Sequence, residues 1–401
     1  MEHAMDVLNL ILKIYAIYAV LIGVFLIFPQ KKYRRHDPRT RFAVLIAARN
    51  EETVIGQTVT QFLKQTYPRE LYDLYIIPNN CTDDTAGVAA RAGARVMPCT
   101  VPVRTKGQVL KWAFQELESQ KYDAYCIFDA DNLVEPQFLA RMNDAFCSGA
   151  RVAKSIQKAS NPGETWISGC YDLYVENINL LYSRPRGTLG LSAKLIGTGF
   201  AVSRELLNEI GGFNTITLTE DLEFAVQCAL HKEKVWWVPE AVTYDEEPLS
   251  FGVAMRQRRR WSSGVMHTWS AYTPKLLKHM VLFRRPLLCL DMAMHIAGPT
   301  MQVAALIPAV KLVWDAIAVA NWLAIVTALA SFWFGMIGTA LITAILGRRP
   351  VFKMWKSILL YPLFIASWYP LHLLAMFKRT KVWKPITHKG SRPIAQYTAS
   401  K

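Results

Sequence analysis

The chain has 401 residues, 52% of them hydrophobic and 19% charged, with a formal net charge of +15 and seven cysteines. An odd, scattered cysteine set with no Cys-x-x-Cys pair argues against a disulfide framework or a zinc site and fits a reducing compartment. The basic excess is not gathered on a helix with readable spacing, so nucleic acid is not an expected partner; it suits loops beside an anionic leaflet and would also attract a nucleotide diphosphate.

Residues 7–28 are apolar apart from Lys13 and long enough to span a bilayer. No basic residue precedes them and no small-residue cleavage site follows, so they read as an anchor rather than a signal peptide. Lys31, Lys32, Arg34, Arg35, Arg39 and Arg41 come next. The positive-inside rule then puts the N-terminus outside and the following region in the cytosol.

Residues 42–48 (FAVLIAA) predict a fully buried strand. Asn50 is placed to cap a helix that has Glu51 and Glu52 in its first turn and Val54, Ile55, Val59, Phe62 and Leu63 on its apolar face. A strand is expected at 74–77, then a helix capped by Thr82-Asp83-Asp84 and ending near Gly93, a short strand at 95–97, a helix at 106–120 and a strand at 124–128. Such alternation predicts an α/β doubly wound, mostly parallel sheet with its ligand at the strand carboxyl ends. The first turn, AARNEE, lacks GxGxxG, which argues against hydride chemistry.

The pattern stays soluble to about residue 280 and then turns apolar, with membrane segments expected near 287–309, 316–346 and 358–377. Arg348, Arg349, Lys353 and Lys356 mark a cytosolic loop, and Lys378, Arg379, Lys381 and Lys384 mark a cytosolic tail. Three full crossings contradict that pairing, so either one segment is interfacial or re-entrant, or 316–346 holds two crossings.

The stretch 126–132 reads CIFDADN: a core strand ends in Asp129 and Asp131. Residues i and i+2 of a strand share a face, so both carboxylates can address one ligand. A hard divalent cation, Mg²⁺ or Mn²⁺, would remove the cost of placing them together. Alone, Asp-x-Asp also suits a turn or helix cap. Further on come Gly197-Thr198-Gly199, a small-residue turn that lets a sugar approach backbone, Thr219-Glu220-Asp221 before a helix, and Gln257-Arg258-Arg259-Arg260-Trp261. Singly, the second also reads as an N-cap and the third as a solvated face or headgroup anchor.

Together and in this order, DAD, TED and QxxRW resemble the membrane-embedded family 2 glycosyltransferases: the cellulose, hyaluronan, chitin and poly-N-acetylglucosamine synthases. The resemblance runs from about residue 42 through 261. It implies a cytosolic GT-A domain (Rossmann-like) joined to transmembrane helices in the plasma (inner) membrane. It implies inverting sugar transfer from a UDP-sugar to a growing β-linked polysaccharide, with export of the polymer. Asp221, beside Glu220, matches the base. Asp131, with Asp129 on the nucleotide side, matches the metal site. Arg260 and Gln257 are assigned to the diphosphate, and Trp261, Thr198 and Gly199 to the acceptor. Glu51 matches the acid of the first nucleotide loop, while Asn79 stands where many relatives carry the base-reading Asp. Lys106 reads either as a phosphate contact or as a surface lysine. Trp383, Thr387 and Lys389 look similar to a gating loop, the rival reading being a basic tail.

The expected division is 1–33 membrane helix, 40–275 catalytic domain, 280–380 interface and membrane helices, and 381–401 cytosolic tail. Trp314, Trp322, Trp333, Trp368 and Tyr369 are candidates to line a polymer channel. A non-processive transferase acting on a lipid acceptor shares every motif. A third reading, from another class, is an inactive sugar-binding or transport protein. Which sugar is carried, and whether an accessory or export subunit takes part, are left open.

Overall fold

A computed structural model describes residues 2–30, 32–282 and 286–378. Its centre is an eight-stranded mixed sheet: β1 (Phe42–Ala48), β2 (Tyr72–Pro78), β3 (Arg95–Val96), β4 (Ala124–Phe128), β5 (Leu133–Val134), β6 (Val152–Ala159), β7 (Phe200–Ser203) and β8 (Trp236–Asp245). The spatial order is β3-β2-β1-β4-β7-β6-β8-β5. β1, β2, β3 and β4 are mutually parallel, as the alternating pattern predicts; β7 enters antiparallel between β4 and β6, and β8 returns parallel to β6.

β1 shows why the first half folds this way. Ala43 and Leu45 enter one hydrophobic layer, while Phe42, Val44, Ile46 and Ala48 enter the other. Alternate side chains of a strand face opposite sides, so a strand covered on both faces must be apolar throughout. The covering helices include Glu52–Phe62, Lys106–Glu116, Phe138–Cys147 and Glu220–Leu230. Their caps are local. Asp84 accepts from the Gly87 amide, and Thr105 forms a capping box with Gln108. Asn50 does not cap the helix Glu52–Phe62. It adopts φ 58°, Glu51 takes the cap position, and the Asn50 side chain instead accepts from the Thr82 amide at 2.8 Å, joining the first two loops.

Among the described residues four helices are long and apolar enough to cross a membrane: Glu2–Ile27, Pro286–Ala318, Trp322–Leu346 and Trp355–Phe377. Residues 322–346 form one helix of 25 residues, the length of a single crossing. The last segment is broken at Ser367 into Trp355–Ala366 and Trp368–Phe377. Its Ile358, Tyr361 and Phe364 pack in one cluster with Ile167, Cys170 and Tyr171 of the helix Trp166–Asn177. The 32-residue helix Phe251–Leu282 links the sheet domain to this membrane part.

Candidate functional site

The carboxyl ends of β1, β2 and β4 open into a cavity of about 870 Å³. Where β4 ends, Asp129 and Asp131 enter its wall. The Asp129 amide donates to Asn132 Oδ1 at 2.8 Å and to Thr198 Oγ1 at 3.1 Å, tying the DAD loop to the Gly197–Thr198 turn. Lys106 is no surface lysine. Its ammonium reaches Asp129 Oδ1 at 2.5 Å and the Gly197 carbonyl at 2.7 Å. Burial pulls its pKa down, but Asp129 and Glu220 more than offset this and hold it above the ordinary lysine value.

Asp221 is buried and oriented by backbone: Oδ2 accepts from the Gly197 amide, and Oδ1 from the Leu222 amide at 2.8 Å. Glu220 is pushed up to about 7, first by burial and then by Asp221, against the pull of Lys106 and Arg260. Gly264 explains how TED meets QRRRW. A Cβ there would lie 2.5 Å from Thr219 Cγ2, so the long helix can touch the TED turn only through a glycine. Thr198 lines the cavity, but Gly199, expected at the acceptor, is not among the residues that do. It packs into the sheet at φ +64°, where a Cβ would meet Ser155 Oγ at 2.5 Å.

Three consecutive arginines have three fates, because each helical step turns about 100°. Arg259 is exposed. Arg260 shares the cavity wall with Gln257 and Trp261, its neighbours at i−3 and i+1. Arg260 has no hydrogen bond or ion pair among the described residues, and Gln257 Oε1 is buried without a partner: two groups poised for a ligand. Arg258 is fully buried, which rules out a solvated face or headgroup anchor for it. Its Nη1 donates to the Phe364 carbonyl at 3.0 Å and to Ser367 Oγ at 2.9 Å. It thus satisfies backbone at the break between the last two helices. Trp261 stacks on Trp368 with centroids 6.3 Å apart.

Glu51 and Asn79 both line the cavity. The Asn79 amide oxygen, expected to read a base, instead accepts from Arg49 at 3.0 and 2.7 Å, while its nitrogen donates to the Ala48 carbonyl. Arg49, at the tip of β1, was not anticipated. Nor were Asp245, Lys154 and Lys194. Burial, then Asp131, drives Asp245 well above the carboxylate range, and burial lowers Lys154 and Lys194 to about 8. Of the five aromatic channel candidates Trp368 alone lines the cavity; Trp314, Trp322 and Trp333 turn outward, at 72%, 62% and 38% exposure. Trp383, Thr387 and Lys389 lie outside the described residues.

Among the described residues no three His, Cys, Asp or Glu side chains group closely enough to hold an ion alone. The donor set nevertheless fits Mg²⁺ or Mn²⁺, which take one or two carboxylates and complete the shell with phosphate oxygens and water. Asp131 and the second oxygen of Asp129 supply those carboxylates. Asp131 and Asp129 are also felt at Asp245, where they add to burial in pushing its carboxyl up, a repulsion a divalent cation would relieve.

Charged side chains are spread over the cavity wall, among them Asp129, Asp131, Lys106, Glu220, Asp221, Lys194 and Arg186. Lys106 feels Asp129, Glu220 and Asp221; Lys154 feels Asp245, Asp221 and Asp129; and Lys194 feels Asp221 and Arg186. Arg186 pairs with Asp291 of the long apolar helix Pro286–Ala318, at 3.0 Å. Beyond it the wall is Tyr15, Tyr18, Ala19 and Ile22 of the first helix and Met294, Pro299 and Gln302 of the second.

A family model described as glycosyltransferase like family 2 matches residues 38–264. A probable glycosyltransferase, YdaM of Bacillus subtilis, is 27% identical over 61% of this chain and 60% of its own length. A beta-monoglucosyldiacylglycerol synthase of Synechocystis is 29% identical over 57% of this chain and 48% of its own length. The match thus spans about half to three fifths of these curated relatives. Among solved structures, the mannosyltransferase PcManGT of Pyrobaculum calidifontis, in complex with GDP-Man and Mn²⁺, covers 92% of this chain and 97% of its own. Its TM-score is 0.62 at 17% identity, a likeness of fold that includes the helical C-terminal region.

Proposed function

The chain belongs to the glycosyltransferase like family 2 and is a glycosyltransferase using a nucleotide sugar; on that premise we propose that it transfers a hexose, with inversion, from a UDP-sugar to the hydroxyl of a membrane lipid. The observation that carries the lipid reading is the cavity itself, which joins Asp129 and Asp131 to the walls of two membrane helices through Asp221. The Synechocystis relative, by its name a lipid-acceptor enzyme, supports the same reading.

Arg260 and Gln257 bind the diphosphate, with the bidentate geometry a guanidinium offers. A divalent cation at Asp131 and Asp129 would stabilise the charge that gathers on the departing diphosphate, so the site needs no general acid. Asp221 takes the proton of the acceptor hydroxyl. The hydroxyl oxygen bonds to the anomeric carbon as the bond to phosphate breaks on the opposite face, inverting the centre. The two backbone amides fix the Asp221 carboxylate for that transfer, and Glu220, pushed up to about 7, limits the negative charge beside it.

A second reading, a processive synthase with polymer export, rests on the Trp261–Trp368 stack, a platform suited to a sugar face. Placement in the plasma membrane with a cytosolic catalytic domain belongs to either reading. So does treating the broken segment at 355–377 as interfacial, which leaves two full crossings after the catalytic domain and a cytosolic tail. The test is UDP release by the purified chain with a panel of UDP-sugars and Mg²⁺ or Mn²⁺, with the product sized and extracted. A lipid-soluble monoglycosylated product, lost in Asp221→Asn, supports the lipid reading. A polymer from one donor refutes it in favour of the synthase, and no release with any donor in folded protein refutes both.

A further inference from the structure

Between Asp221 and the membrane helices lies a cluster of donors for which the transfer reaction has no use. Three groups converge on the ring of Tyr182. The Arg186 guanidinium lies 3.6 Å from its centroid, the Lys194 ammonium 5.8 Å, and the His295 ring 4.5 Å. All four residues line the cavity. The charge of Arg186 is compensated: Nε meets both oxygens of Asp291, at 3.0 and 3.1 Å, and Nη2 meets the Tyr18 hydroxyl at 2.9 Å. Lys194 has no such compensation. Its ammonium makes no hydrogen bond or ion pair among the described residues, and the carboxylate it senses most, Asp221, is committed to two backbone amides. The Tyr182 hydroxyl and His295 Nε2 are likewise buried without a hydrogen-bond partner.

A half-buried, unpaired ammonium on the cavity wall and two buried, orphaned polar atoms call for a partner that completes them. Two of the three groups, the ammonium and the hydroxyl, are donors and the third becomes one in the appropriate tautomer, so the missing partner is rich in acceptor oxygens. The one uncompensated charge is positive, so the partner is an anion. We propose that this cluster is an acceptor subsite for a phosphate, with Lys194 as its specificity-determining residue. The sugar acceptor is then an anionic lipid whose phosphodiester sits at Lys194 while its hydroxyl reaches Asp221. A neutral diacylglycerol would leave the ammonium unpaired.

The inference rests on the lipid-acceptor reading above, and its test separates the two. The full-length chain is placed in vesicles of neutral phosphatidylcholine carrying diacylglycerol, phosphatidylglycerol or neither, with the UDP-sugar that supports turnover; soluble glycerol 1-phosphate is a fourth arm. Expected is transfer to phosphatidylglycerol in preference to diacylglycerol. Lys194→Met raises the phosphatidylglycerol KM roughly tenfold or more, the scale of one lost hydrogen bond to a charged group, with kcat affected less. Lys194→Arg restores it, a rescue that a purely structural role would not show. Raising the pH through about 8, where Lys194 discharges, raises the KM for phosphatidylglycerol and not for any neutral acceptor. Use of glycerol 1-phosphate as readily as the lipid keeps the phosphate subsite but assigns it to a soluble acceptor. Equal use of diacylglycerol and phosphatidylglycerol, unchanged in Lys194→Met, overturns the subsite and leaves the lipid reading standing. Polymer formation with no lipid product overturns the lipid reading itself.

Discussion

Replacing Arg258 by Met tests how the catalytic helix is held against the C-terminal segment. Arg258 is fully buried and has no carboxylate partner among the described residues, so its charge is satisfied by backbone, hydroxyl and rings. The guanidinium carbon lies 4.4 Å from the Phe364 centroid and 5.2 Å from that of Trp368. Each hydrogen bond from a charged donor contributes about 1.5–3 kcal/mol, and a desolvated ring contact about 0.5–2. Relief of the buried charge offsets part of this. Methionine also strands the Phe364 carbonyl at a helix end, leaving a net loss of about 3 kcal/mol. For a domain of this size that is a fall in Tm of roughly 6–12 °C. The assay is tryptophan fluorescence during thermal unfolding in detergent, paired with hydrogen exchange over residues 355–377. Arg258→Lys should recover only part of the loss, because an ammonium lacks the planar face that lies against Phe364 and Trp368 and the Nε–H that donates to the Ala254 carbonyl. A Tm within 1 °C of the parent, with exchange at 364–368 unchanged, would refute the account of how the two parts are joined.

Glu220 has a folded pKa of about 7 against an ordinary 4.5. Between those values the native chain holds a proton that the unfolded chain has released, so donor-free stability should fall as pH rises from 4.5 to 7. Glu220→Gln should flatten that slope in a Tm-against-pH series. Chelation should abolish turnover, and Mn²⁺ with UDP should raise the Tm by mass action; Asp131→Asn should weaken both effects, and a variant with normal metal-dependent turnover would remove Asp131 from the metal site. Arg186→Met or Asp291→Leu alone leaves a charge buried and should cost about 3–5 kcal/mol, most of it recovered in the double variant. Additive losses measured by thermal unfolding would contradict the pairing.

The parallel half of the sheet was legible because burial on both faces demands unbroken apolar runs. FAVLIAA and AYCIF were placed to the residue, and 74–77 only widened to Tyr72–Pro78. DAD, TED and QxxRW were legible because each is a short local run: the first at a strand end, the second at a helix start, and the third with Gln257, Arg260 and Trp261 on one helical face. The antiparallel half was not read, since β6 carries Lys154, Ser155 and Gln157 inside the sheet and breaks the apolar pattern. Lys154, Lys194 and Asp245 belong to no local motif; only the fold brings them to the DAD loop and to Asp221. The fate of Arg258 was hidden for a similar reason, because its partners lie 106 and 109 residues further along the chain.

That separation has a consequence for how the enzyme is made. A ribosome adding roughly 5–20 residues per second needs roughly 5–20 s to travel from Arg258 to Phe364. During that interval the nascent catalytic half carries an unsheltered guanidinium where its finished form is dry. The Arg186 guanidinium waits in the same way for Asp291. Until those later helices are made, neither arginine has the partners that satisfy it in the finished chain.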